Sequence, residues 1–579
     1  MIDLRAKPFY LNDEQAEWVQ TTLSGMSQDD KIKQLFIDMA APVPADAVKG
    51  LVRQRKYGGL RYMNKDGATI LALLKSYKAA SEIPLIVAAN TEAGGNGACS
   101  DGTEIGCETK IAATGDIKYA CALGEVSAKE AKAVGCNTLF APIVDIHKNW
   151  HNPIIATRTF GEDAQMVAAY SKAYMQAAHK EGIACVCKHF PGDGVDERDQ
   201  HLANSVNSLS REEWDNTFGY VYKEMIEAGV EGIMVGHIML PAYEYYFEGR
   251  TDGGECMPAT LSKPLLKGLL RGQLGFNGLV ISDASHMVGM TSRMARRDIV
   301  PYSIAAGCDM FLFYNDFEED FGYVKQGIER GILSNERIDE AVTRILAYKA
   351  HLNLHKAQPA CDLSVIGCEK HKNIADQVSH KAITLVKRNE DGVLPLSPDK
   401  YKRILLVHHD SVNPFNSYIG GVKGSYYDVL KAELESRGFE VELYTPVLQQ
   451  LTRASEDEVK QIMGKLYTSK SAVGEFQKKY DLVIQMANVP GNGVVQRIDF
   501  ALTKGSIDMP WYVYELPVIF VSVNCPFHLF DVPQVQTYIN CYDSNVSTIK
   551  ALAQKLAGEE EFTGISPVDA FCGSPDTAW

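Results

Sequence analysis

The sequence predicts an α/β protein in two parts: an N-terminal (β/α)8 TIM-like barrel, then a second α/β region on a mostly parallel sheet. Three observations predict it. Eight short apolar runs, rich in β-branched residues, alternate with stretches of helical periodicity through the first 355 residues; such alternation implies parallel strands joined by helical crossovers. Eight units over that length suit one closed barrel. After His355 the pattern weakens through "KAQPACDLSVIGCEKH", and five fresh strand-like runs follow, which read as an open parallel sheet flanked by helices. Residues 1–355 are therefore expected to form the barrel, 356–378 a linker and 379–579 the second domain.

In chain order the barrel runs are Leu35–Met39, Gly59–Met63, Pro84–Ala89, Thr138–Val144, Ile183–Lys188, Gly232–Gly236, Leu279–Asp283 and Met310–Phe313. Helix starts between them carry capping signals. Ser210 stands three residues before Glu213, a capping-box pattern, and Ser262 precedes "KPLLKGLLRGQLG" with a proline in the first turn. The second region offers Arg403–Val407, Phe439–Tyr444, Asp481–Ala487, Pro517–Val523 and Thr537–Tyr542.

Composition sets the outer limits. With 46% hydrophobic and 23% charged residues among 579, the chain is ordinary globular material with ample core. Its net charge of −15 argues against a nucleic-acid or anionic-membrane partner, whose footprint is basic. "MIDLRAKPFYLNDEQAEWV" has no apolar signal region, and no run is long enough to span a bilayer. The 13 cysteines are scattered, with no paired CxxC units, which fits buried thiols in a reducing compartment. A cytoplasmic protein is expected, as a monomer or a homodimer.

Catalytic groups of such barrels sit just after the strands. There the sequence places Asn90-Thr-Glu92, Asp145, Lys188-His189, Gly236-His237 and Asp283. The stretch "CKHFPGDGVDERDQH", Cys187 to His201, leaves the fifth strand at the same face with a dense set of titratable groups. Asp283, ending "GLVISD", is held at a buried strand tip: a nucleophile or general base, or equally an N-cap for the next helix. Asp199-Gln-His201 sets a carboxylate beside an imidazole, which is half of an acid/base dyad or else a solvated loop. Lys188, His189 and Arg158, with Asp145, can hold sugar hydroxyls or an anionic group; Arg158 can also be a surface ion pair of little weight. A metal centre is disfavoured, because no His-x-His occurs and His408-His409 reads as a polar strand end. The glycines of "EAGGNGA" and "IGGVKGS" do not make a dinucleotide motif. No metal or cofactor is expected.

At these residues the chain resembles glycoside hydrolases of family 3, of the bacterial β-N-acetylhexosaminidase type. "NTLFAPIVDIHKN", "TRTFGED", "GIACVCKHFPGDG", the Asp-x-His of "DQH", "GLVISDASHM", "AAGCDMFLF" and "RIDEAVTRILAYKAHLNL" carry the resemblance from Leu4 to His355. The second domain is similar to that family's α/β sandwich. The resemblance implies a retaining exo-acting enzyme that cleaves terminal β-linked N-acetylhexosamine from a glycoside or oligosaccharide. Asp283 matches the nucleophile, His201 the unusual histidine acid/base and Asp199 its dyad partner. Lys188, His189, Arg158 and Asp145 match residues that bind the sugar or support those that do; Asn90, Glu92 and His237, at strand ends, are further substrate-binding candidates, and Arg497 is a candidate contributed from the second domain.

Two departures stand out. Asn90 replaces the usual aspartate of Asp-x-Glu-Gly-Gly, which bears on preference among sugars, and Asp193 replaces the usual histidine of "KHFPGHG". A histidine left neutral after donating its proton also admits phosphate as acceptor. That makes a phosphorylase, or a β-glucosidase of the same family, the alternative activities. A catalytically silent sugar-binding protein is the alternative of another class. The glycines and proline of the loop are expected to let it fold over the barrel mouth and move as lids do.

Overall fold

The computed structural model describes the chain except residues 1, 42, 252, 389–391, 412–424, 469–471, 490–496 and 501–505. The glycines of "IGGVKGS" lie outside the described residues. The chain forms two compact units, one of residues 1–105 and 117–372, the other of 106–116 and 373–579. The expected linker 356–378 is largely folded: a 3-10 turn at Leu363–Val365 is followed by a helix at Glu369–Ala382.

In the first unit, eight parallel strands close a barrel: β1 Phe36–Ala40, β2 Gly59–Tyr62, β3 Ile86–Ala89, β4 Thr138–Leu139, β5 Ala184–Phe190, β6 Gly232–Val235, β7 Leu279–Ala284 and β8 Met310–Leu312. They pair in sequence order, and β8 returns to β1. Strands covered on both faces need apolar side chains throughout; β3, β5 and β6 are buried at every position. All eight expected runs are strands. The fourth is shorter than its run because Pro142 has no amide to donate, and contact with β5 resumes at Ile143 beside Lys188.

Side-chain caps set many of the helix starts. Asp66, Asp163, Asp316 and Ser334 each accept a backbone N–H three residues on. Ser210 and Glu213 form the capping box. Ser262 accepts from the Leu265 amide at 3.3 Å, although the helix itself opens at Pro264.

The second unit contains a six-stranded sheet of β9 Thr384–Lys387, β10 Arg403–Asp410, β11 Glu440–Tyr444, β12 Leu482–Asn488, β13 Val518–Ser522 and β14 Thr537–Asn540. The order is β9-β14-β13-β12-β10-β11, parallel except for the antiparallel edge pair β9–β14. One apolar cluster, with Ile404, Ile484 and Ile519, covers one face of this sheet, and another, with Leu405, Val483 and Phe520, covers the opposite face. Five strands match the expected runs. The sixth, β9, has only the short signal "TLVK".

Candidate active site

The strand ends of the barrel bring several polar groups together. At the tip of β7, Asp283 accepts the Ala284 amide on Oδ1 at 2.7 Å. Its Oδ2 lies 4.0 Å from His189 Nε2. Burial pushes the Asp283 carboxyl up, but its interactions with the neighbouring imidazoles, His189 foremost, outweigh this, and it ends below the ordinary aspartate range. The group stays ionised.

His189, near the end of β5, gives its Nδ1–H to Asp145 Oδ2 at 2.8 Å. Asp145 is fully buried, and its Oδ1 accepts the amides of His189 and Asp193 at 3.1 and 2.8 Å. It therefore orients His189 and the following loop, with no oxygen turned to the mouth. Glu92, past the end of β3, accepts Arg158 through both oxygens at 2.9 and 3.0 Å and Lys188 Nζ at 2.5 Å. Burial alone would raise the Glu92 carboxyl; the two cations pull it well below its usual range. Arg158 feels the charges of Glu92, Asp145 and Asp283. Asn90 stands exposed at the end of β3. Behind it, Gly97 packs so closely that a Cβ there would lie 1.6 Å from the Asn90 carbonyl oxygen.

The loop after β5 brings Asp199 and His201 to the same rim. His201 Nδ1 donates to Asp199 Oδ1 at 2.7 Å, and the His201 amide donates to that oxygen at 2.8 Å. Asp199 is buried, whereas the His201 side chain is 49% exposed, so its Nε2 is the nitrogen left for a ligand. Partial burial lowers the His201 pKa, but the Asp199 bond and charge, with the charge of Asp283, raise it above the usual histidine value.

His237, just past β6, is fully buried. Its Nε2–H donates to the Ala284 carbonyl at 3.0 Å and its Nδ1 accepts from Thr260 at 2.9 Å. Both nitrogens are taken, so His237 braces the segment that carries Asp283. Arg497 lies in the second unit, where it pairs with Asp531 and covers the Phe530 ring.

Three further residues escaped the sequence reading. Gln200, between the dyad partners, is fully buried. Asn152 donates to Asp193 at 2.8 Å. Arg61, at the end of β2, donates to the Tyr62 carbonyl at 3.3 Å and lies over the Tyr62 ring; burial lowers its pKa against the pull of Tyr62, Cys136 and Glu92. An arginine inside an apolar strand run was the signal for the last. Among the described residues, no cluster of three or more His, Cys, Asp or Glu side chains is placed to hold a metal ion.

A barrel with an ionised carboxylate at one strand tip and a carboxylate-backed imidazole beside it carries the nucleophile and acid/base types that glycoside cleavage uses. The sequence profile described as "Glycosyl hydrolase family 3 N terminal domain" matches residues 27–348, and the chain belongs to that family. A Cellulomonas fimi protein named beta-N-acetylglucosaminidase/beta-glucosidase is 41% identical over 584 residues, covering all of both chains. A solved structure titled beta-glucoside phosphorylase BglX bound to 2FGlc superposes with a TM-score of 0.89 at 37% identity, covering 98% of this chain and 99% of that one. A family 3 beta-N-acetylglucosaminidase from Paenibacillus sp. str. FPU-7 shares the fold, with a TM-score of 0.74 at 24% identity over 94% of this chain and 99% of that one. Among the described residues, no helix is long and apolar enough to cross a membrane.

Proposed function

We propose that the chain is a retaining, exo-acting β-glycosidase that removes terminal β-linked N-acetylhexosamine, with Asp283 as nucleophile and His201 as acid/base. The Asp199–His201 pair, beside an ionised Asp283, is the observation that carries this. Because the Ala284 amide occupies Oδ1 of Asp283, Oδ2 makes the attack on the anomeric carbon. The bond to the aglycone oxygen breaks as His201 Nε2 passes its proton to that oxygen, and a covalent glycosyl-enzyme forms. An acceptor then attacks the same carbon and expels Asp283, and His201 takes the proton when the acceptor is water. Arg158 and Lys188, held by Glu92, and the exposed amide of Asn90 are assigned to sugar hydroxyls. Asp145 and His237 are assigned to positioning, since neither has an atom free for substrate.

A second reading, phosphorolysis, is favoured by the histidine itself. After donating its proton the imidazole is neutral. A glutamate in that place would oppose an incoming phosphate charge about 4 Å away by roughly 4 kcal/mol at the effective dielectric of such sites. The likeness to a chain titled a phosphorylase supports it. With the thirteen cysteines all free, the cytoplasm is the compartment proposed.

The test is turnover of aryl β-N-acetylglucosaminide and aryl β-glucoside, each with and without phosphate, with the sugar products identified. Release of free sugar alone supports the hydrolase, and release of sugar phosphate with retained configuration supports the phosphorylase. Binding without release at any pH would leave a catalytically silent sugar-binding protein.

A further inference from the structure

Gln200 lies between the two dyad residues, and its side chain points away from the mouth into the protein, where it is fully buried. Its Nε2 donates to Asp193 Oδ2 at 3.2 Å, and its Oε1 accepts the His237 amide at 2.7 Å. Its backbone carbonyl accepts the Gly289 amide at 3.0 Å, while the carbonyl of His201 accepts the Val288 amide at 3.1 Å. One residue thus touches the loop after β5, the end of β6 and the segment after β7. Space is tight at two of these points. A Cβ on Gly289 would meet the Gln200 carbonyl oxygen at 2.7 Å, and one on Gly236 would meet Gln200 Oε1 at 3.1 Å.

Each partner of Gln200 leads back to the reacting groups. Asp193 is fixed through its amide to Asp145, which orients His189 beside Asp283. Its Oδ1 is saturated by the Asn152 side chain and the Gly194 amide, so only Oδ2 remains for Gln200. His237 holds the Ala284 carbonyl, one residue from Asp283. His201, by contrast, is half exposed, and among the described residues its ring is bonded only to Asp199 of the same loop. A dyad on a loop can be well formed internally and still stand at the wrong distance from its target.

We propose that Gln200 is a positioning residue that pegs the Asp199–His201 segment to the start of its own loop, at Asp193, and to the end of β6, at the His237 amide. This rests on the reading of His201 as acid/base. In this chain the loop is docked rather than free, and the amide–carboxylate pair sets where His201 Nε2 stands relative to Asp283. The bond polarity is specific: at position 193 an acceptor must face position 200, and at position 200 the outer group must donate while the inner one accepts.

Gln200→Met keeps the volume and removes both hydrogen bonds. Amide hydrogen exchange at Val288 and Gly289 should quicken by about tenfold or more, since those amides report docking directly. Unchanged protection there overturns the proposal, whatever the catalytic result. In the same variant, kcat/KM should fall by about tenfold to a hundredfold for alkyl glycosides, the scale of a misplaced group. For dinitrophenyl glycosides, whose leaving group needs no proton, it should fall much less. Equal falls for both substrates would mean that Gln200 is structural only, which also overturns the proposal. The pair Asp193→Asn with Gln200→Glu reverses the polarity, with the amide now donating and the carboxylate accepting. It should recover exchange protection and alkyl-glycoside turnover above either single variant; a double variant no better than the singles counts against the peg. His201→Ala is measured alongside. If it shows no leaving-group dependence, the acid/base reading fails, while the exchange result still decides whether Gln200 docks the loop.

Discussion

At the scale of single residues, the proposed mechanism turns on two groups pushed in opposite directions. Asp283 is held below its ordinary pKa and His201 above its own. The first step needs Asp283 ionised and His201 protonated, so kcat/KM should trace a bell, with His201 setting the alkaline limb. Asp199→Asn removes the charge that raises the imidazole, and the alkaline limb should move to lower pH while the acid limb stays; a limb that does not move would assign it to another group. His201→Ala should slow poor leaving groups by about a hundredfold to ten-thousandfold, the usual worth of general acid catalysis, and azide should partly restore turnover. Asp283→Asn should abolish the glycosyl-enzyme, and a 2-fluoro sugar should label Asp283 in the wild type; label on Asp193 or Glu92 would sink the assignment. Asp283, Asp199 and His201 stand out as candidates in the sequence because strand ends and motif spacing are local. Asp145 is legible in the sequence as a residue that binds sugar or supports one that does, and His237 only as a strand-end polar residue. Their saturation depends on Asp193, Thr260 and Ala284, whose proximity only the closed barrel creates.

At the scale of elements, the strands were the most legible feature, because burial on both faces writes most of them as apolar runs; β11, with the pattern EVELY, is the exception. What blurred was set by backbone chemistry and length: β4 stops short of Pro142, and β9 is four residues long at a sheet edge. The glycines after β3 read in the sequence only as no dinucleotide motif, and their purpose was not legible. Gly97 lets the chain fold back against the Asn90 carbonyl, where a Cβ would sit at 1.6 Å. Farther along, Thr103 is tied by its amide and hydroxyl to the buried Glu130 at 2.6 and 2.7 Å, so the turn cannot easily retreat. Gly97→Ala should therefore displace the Asn90–Glu92 segment, destabilise the protein by about 1–3 kcal/mol as overpacking does, and raise KM. Denaturant unfolding and KM measured together test this; no change in either would mean the turn yields at little cost.

At the scale of the barrel, chemistry gathers at the carboxyl ends of the strands, and the opposite rim is left to stability. Glu231, immediately before β6, is buried at that other rim. It accepts His179 Nε2 at 2.9 Å, the Cys185 amide at 3.1 Å and His351 Nε2 at 3.5 Å. His179 and His351 stand in the last turns of the helices Ala164–Lys180 and Asn335–His351, where positive charge also suits the helix dipole. His351 Nδ1 in turn bonds the Phe9 carbonyl at 2.8 Å. One carboxylate thus ties two helices, a strand start and the N-terminal segment. Burial raises the Glu231 carboxyl, but the two imidazoles pull it down to about 2. Burial lowers His351, and Glu231 more than restores it, leaving it raised. The signs fix the pH window. A depressed carboxylate contributes fully above its unfolded pKa and loses that contribution as pH falls toward the folded value; a raised histidine contributes fully below its unfolded pKa and loses it as pH rises through the folded value. The network is therefore strongest at about pH 5–6, between the ordinary glutamate and histidine values. Glu231→Gln should destabilise the protein there by about 1–3 kcal/mol, the worth of charge-assisted hydrogen bonds. The deficit should shrink as pH falls below about 4.5, where the unfolded glutamate protonates, and shrink again in mildly alkaline buffer. Thermal unfolding of both proteins across that range is the measurement, and a deficit flat with pH would mean the carboxylate acts by shape alone.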